Sequence, residues 1–127
     1  MKKLTALLLI LALALSGCAS GTKTFNIGVT SKLSVISRNT GKSVDITDED
    51  SIKYITDNIN ALKFSRGEKV NGDGWSYALQ WYDESGNFTD GVTLMGDGYT
   101  IIYDGYYYKG MSADYAIDLA FVEELFE

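Results

Sequence analysis

The chain has 127 residues, of which 46% are apolar and 13% aromatic, with one cysteine, no histidine and no proline. Seventeen acids against eleven bases give a net charge of −6, which argues against a nucleic-acid partner held by phosphate neutralisation. A single cysteine excludes a disulfide framework, and the lack of histidine excludes Ser-His-Asp, Cys-His and most zinc chemistry.

The chain opens with a basic head, Met1-Lys2-Lys3, followed by the run Leu4 to Leu15, in which Thr5 is the one polar residue. Twelve residues are too few for a membrane span, which needs about 20. Basic head, short apolar run and small residues read as a secretory signal. The run ends Leu15-Ser16-Gly17-Cys18. This resembles the lipobox of bacterial lipoproteins, and the resemblance implies a diacylglyceryl group on the Cys18 sulfur and cleavage just before that residue. Two acyl chains on one sulfur hold a protein at a membrane, where one chain alone binds only marginally. Cys18 is then neither a disulfide partner, nor a metal ligand, nor a nucleophile.

Removal of residues 1–17 as a signal peptide leaves 110 residues, enough for one domain. Lys2 and Lys3 leave with the leader, so the acid excess rises to eight. Such a balance keeps a domain soluble and argues against adhesion to an anionic bilayer by charge alone. Residues 18–24 read as a lipidated tether, small and polar from Ala19 to Thr24, and residues 25–127 as the domain.

Phe25 to Thr30 reads as a short strand. Leu33 and Val35, the turn Asn39-Thr40-Gly41, then Val44 and Ile46 predict a hairpin. Thr47 with Asp50 resembles a capping box and predicts a helix start. Ile52, Ile55, Ile59 and Leu62 continue as one apolar stripe, ending near Phe64.

Beyond Trp75, the turn signals Ser85-Gly86, Asp97-Gly98 and Asp104-Gly105 divide the chain into four strands. Read as two-residue loops, they set Leu79 opposite Val92, Leu94 opposite Ile101 and Tyr103 opposite Tyr106. Partners share a face. Trp75, Tyr77, Trp81, Phe88, Tyr99 and Tyr103 then fall on an apolar side to be covered by the helix. Tyr82, Met95 and Tyr107 fall on the polar side, as candidate exposed binding residues. Asp90 lands on the apolar side opposite Trp81, which marks Asp90-Gly91 as a bulge or a corner open to water. Asp118 is an N-cap for a terminal helix with the stripe Leu119, Val122, Phe126. The predicted fold is α+β: an N-terminal hairpin and one helix packed on a four-stranded antiparallel meander, with a short C-terminal helix.

Catalytic motifs are scarce. There is no GxGxxG and no phosphate loop. The pairs Asp83/Glu84 and Asp48/Asp50 have sufficient structural explanations in a turn and a helix start. Counted from Asp83, the sixth and twelfth positions hold Phe88 and Leu94, where a calcium loop needs glycine and glutamate. No metal or cofactor is expected.

The segments VDITDEDSIKYITDNINALKF, GWSYALQWYD and YTIIYDGYYYK resemble a family of small Gram-positive lipoproteins with an uncharacterised extracytoplasmic domain, over roughly Val44 to Phe126. The resemblance implies a protein anchored at the outer side of the cell membrane and brings no active residues. The expectation is a non-catalytic binding or accessory module for a protein, peptide or glycan. The alternatives are an inhibitor or immunity-type protein docking a partner protein, and a small carboxylate hydrolase.

Overall fold

The computed structural model describes residues 22–127 apart from positions 73 and 113. The predicted signal peptide and lipid-bearing Cys18 lie outside the described residues. The elements run β1 (Thr22–Lys23), β2 (Lys32–Ser37), β3 (Ser43–Ile46), α1 (Glu49–Asn60), β4 (Phe64–Lys69), β5 (Trp75–Tyr82), β6 (Phe88–Met95), β7 (Thr100–Tyr103), β8 (Tyr106–Gly110) and α2 (Leu119–Glu124).

The expected α+β architecture is overturned. All eight strands join one antiparallel sheet, in the order β1-β4-β8-β7-β6-β5-β2-β3, and the helices amount to 12 and 6 residues. The four meander strands are only the middle of this sheet. Their outer strands, β5 and β8, have backbone N–H and C=O groups that need partners. The β2–β3 hairpin supplies them to β5, with Val35 opposite Leu79. On the far side β4 supplies them to β8, with Ser65 opposite Lys109. Thr22 and Lys23, read above as the end of the tether, pair with Ser65 and Phe64.

Three local devices set the meander. The β5–β6 loop has three residues, Glu84-Ser85-Gly86, instead of two. The Asp83 side chain accepts the N–H of Ser85 and of Asn87, and Gly86 takes a φ of 83°. A bulge then leaves Thr89 unpaired between Trp81↔Asp90 and Tyr82↔Phe88. Loop and bulge each shift the register by one and cancel, so Leu79 still faces Val92. The β7–β8 turn has Asp104 and Gly105 both at positive φ, 50° and 82°, as a type I′ hairpin requires. The β6–β7 turn does not: only Gly98 is left-handed, and the Asp97 carboxylate instead accepts from the Tyr99 and Thr100 N–H groups.

The bulges correct two side-chain assignments. Phe88 is expelled from the apolar side and is 58% exposed. A second irregularity sets Trp75 opposite Met95 while Tyr77 stays opposite Leu94. Trp75 therefore joins the outer side, with the Arg38 guanidinium 5.8 Å from its ring, and Trp81 lies on the inner side. Tyr99, also expected in the core, is exposed.

The core lies on the inner face. Leu33, Val35, Leu79, Val92, Leu94 and Ile101 from the sheet meet Ile52, Ile55 and Ile59 from α1 and Val122 from α2. Trp81 is fully buried there. Its indole N–H donates to the Thr56 hydroxyl (2.9 Å), which donates to the Ile52 carbonyl (2.6 Å). Each buried polar group thus has a partner, as burial demands. The N-cap of α1 is Asp48, one residue after the expected Thr47, and it accepts from the Ser51 N–H.

Phe25 to Thr30 is not a strand. Its backbone is satisfied by a side chain: Asn60 accepts from the Ile27 N–H and donates to the Ile27 carbonyl. This crossing drops Phe25 into an aromatic cluster, edge-on to Phe64, Tyr103 and Tyr108. Burial pushes the Tyr103 hydroxyl up, with the Asp90 and Asp104 charges adding to it.

Candidate binding surface

Both helices bury their apolar residues into the core on one side of the sheet. The other face is built from the alternate residues of each strand. Ile36, Ala78, Thr93, Ile102 and Tyr107 are successive partners across β2, β5, β6, β7 and β8. They form one row about 19 Å long, taking roughly 4.8 Å per strand spacing. Every member is half-buried. A row of medium-sized side chains at this depth offers apolar contact without being closed off.

The three candidate residues fall on this face at separate places. Tyr107 ends the row on β8, beside Gly67, where an added Cβ would come within 3.3 Å of the Tyr107 carbonyl. Met95 sits at the end of β6 opposite Trp75. Tyr82 sits at the other end of β5, donates to Gln80 (2.8 Å), and carries the Lys32 ammonium 4.6 Å from its ring. All three are half-buried, and the fold does not bring them together.

Phe88, missed by strict alternation, belongs with Tyr82: their rings meet edge-on at 6.0 Å. The same ring covers Gly91, where a Cβ would lie 2.9 Å from it. An aromatic ring thus fills the place of an absent side chain. The sequence signal was Asp83 with Gly86 three residues on, which suits a three-residue loop.

Two cavities lie at the ends of the sheet. One, of about 540 Å³, is lined by Val29, Thr30, Ser31, Thr47, Glu49, Asp83 and Glu84. It brings together three carboxyl-bearing residues with hydroxyls and no base. One Asp83 oxygen is committed to its own loop. Asp48 is committed to its cap, and the hydrogen bonds from Ser51 hold its carboxyl below the usual range. Among the described residues, no group of three or more His, Cys, Asp or Glu could hold a metal ion. The second cavity, of about 310 Å³, is lined by Tyr99, Lys109, Gly110, Met111 and Ser112.

The C-terminal segment closes the inner side. Asp118 caps α2 by accepting from the Phe121 N–H, and its other oxygen accepts from the Tyr54 hydroxyl (2.5 Å). The Tyr54 hydrogen bond, then the Phe121 one, hold the Asp118 carboxyl below the usual range. The same contact raises the Tyr54 hydroxyl. Phe126 stacks on Tyr77 at 5.7 Å. Burial raises the Tyr77 hydroxyl, with Glu123 adding to the effect.

Among the described residues, no helix is long and apolar enough to cross a membrane. Comparison of the chain with family models, curated proteins and solved structures finds no match.

Proposed function

We propose that the protein is a lipid-anchored lipoprotein of the outer side of the cell membrane, and that its domain is a non-catalytic binding or accessory module. The observation that carries the anchor is the sequence Leu15-Ser16-Gly17-Cys18 behind a basic head and a twelve-residue apolar run. The open outer face supports the binding role. Its central row is apolar enough to reward contact, and its margins carry aromatic rings under cations, Tyr82 under Lys32 and Trp75 under Arg38. The ligand class is a protein, peptide or glycan surface rather than a nucleic acid, whose phosphates the acid excess would repel.

Metabolic labelling with radioactive palmitate tests the anchor. Label is expected in the intact chain and absent from Cys18→Ala. Equal incorporation would end the proposal. Pull-down from detergent-solubilised membranes tests the module. The expected result is retention of a ligand that Ile102→Glu, a charge in the centre of the row, releases. Retention unchanged by that substitution would remove the outer face from the proposal.

A further inference from the structure

The anchor reading leaves open which part of the domain meets the bilayer. Cys18 is four residues from Thr22, the first described residue. At full extension four residues reach at most about 14 Å. The bilayer that holds acyl chains on Cys18 therefore passes close to Thr22. The Thr22 hydroxyl donates to the Met111 sulfur at 3.5 Å. Met111 is 52% exposed and lines a cavity with Tyr99, itself 39% exposed. These are two of five large apolar residues exposed among those described. They are the two that share a cavity, and Met111 in that cavity touches Thr22, the described residue nearest in sequence to Cys18.

Charge is sorted the same way. Lys109 lines this cavity with its ammonium 6.0 Å from the Tyr99 ring. Lys63 is exposed beside it, its carbonyl accepting from the Met111 N–H. Asp97 is the acid facing Lys109. Burial opposes its charge, but the Thr100 hydroxyl, the Tyr99 and Thr100 N–H groups and Lys109 together hold its carboxyl below the usual range. The opposite end of the sheet carries the groove of Glu49, Asp83 and Glu84, with no base lining it.

Resting on the anchor proposed above, we infer that the end of the sheet carrying Tyr99, Lys109 and Met111 lies against the headgroups of an anionic phospholipid bilayer. Tyrosine and methionine enter the interfacial layer, and Lys63 and Lys109 meet lipid phosphates. The acidic groove then points away from the membrane, and the row from Ile36 to Tyr107 stands free.

The full lipidated chain, extracted from cells and reconstituted into phosphatidylglycerol–phosphatidylcholine vesicles carrying a headgroup quencher, provides the test. With Cys18 lipidated, a new cysteine is the one reactive thiol. Met111→Cys and Phe88→Cys each receive a thiol-reactive fluorophore; both positions are exposed, so neither change disturbs the core. Position 88 lies four strand spacings from β1 and a strand length along β6, beyond about 25 Å. Quenching at position 111 at least about threefold that at position 88 is expected from a patch buried about 5–10 Å into the headgroup layer. Equal quenching, or more at position 88, in a chain that floats with the vesicles overturns the orientation and leaves the anchor standing. An unmutated chain that takes up the thiol reagent at Cys18 and fails to float overturns the anchor, and the orientation with it.

Discussion

The two faces of the sheet use the same strands to different ends. On the inner face every large side chain has a fixed neighbour, and even the one buried indole N–H is matched by a threonine whose own hydroxyl is matched in turn. On the outer face the side chains are half-buried or, like Phe88, exposed, and rings rest against cations or over a glycine. Two bulges sort residues between the faces, sending Phe88 and Trp75 outward while Tyr77 and Trp81 stay inward. Stability is therefore concentrated on one side, and the other side is free to be spent on contact.

The comparison breaks most visibly at Trp81. Trp81→Ala empties a fully buried site and should cost about 3–5 kcal/mol in urea unfolding. A loss below about 1 kcal/mol would mean that the inner face is not the packed one. Thr56→Val keeps the shape but leaves the Trp81 N–H without its acceptor, and should cost about 1–3 kcal/mol. Rescue of that loss by Trp81→Phe, which removes the donor, would confirm the cause. Phe88→Ala, at a site 58% exposed, should stay within about 1 kcal/mol of the parent. Its effect should appear in ligand capture, and a larger stability loss would place Phe88 in the core after all.

The smallest effect concerns the contact that holds α2. The Asp118 carboxyl lies below its ordinary value, so this contact contributes fully above the unfolded carboxyl pKa of about 3.9 and is lost as pH falls through the lowered folded value. Tyr54 lies above its ordinary value, so the contact contributes fully below about 10 and is lost as pH rises through the raised one. Between these limits the Phe121 amide resonance should hold its position. Asp118→Asn should return the Tyr54 titration toward about 10. A titration that does not move would break the assignment. Tyr54 is 50% exposed and the contact lies at the surface, so solvent screening leaves little stability riding on it.

Much of the pairing was legible because it rests on local chemistry. Asp104-Gly105 reads as a type I′ turn and is one. The α1 stripe buries Ile52, Ile55 and Ile59 as its spacing says. The pairing of Leu79 with Val92 was read correctly although the loop was not, because an extra loop residue and an extra bulge residue offset each other. The side chains between those two irregularities were the ones that fooled alternation, Phe88 foremost. The fold class was not legible. Strand β4 reads Phe-Ser-Arg-Gly-Glu-Lys, with one buried residue and no alternation, so nothing local marks it as a strand. Its pairing is imposed by the unsatisfied edge of β8, a long-range demand. The segment around Phe25 failed in the opposite sense: it looked like a strand, and Asn60, 33 residues away, took its hydrogen bonds. The candidate surface was legible as a face and not as a row, since the row depends on how five strands align.

Ile101 and Ile102 are neighbours on β7 with opposite fates, one fully buried in the core and one in the outer row. Each changed to threonine keeps a β-branched side chain suited to a strand. Urea unfolding of the two variants compares the faces with identical chemistry. Ile101→Thr should lose about 2–4 kcal/mol, through missing methyls and a buried hydroxyl, and Ile102→Thr should lose less than about 1 kcal/mol. Equal losses, or a greater loss at Ile102, would contradict a sheet that is closed on one side and open on the other.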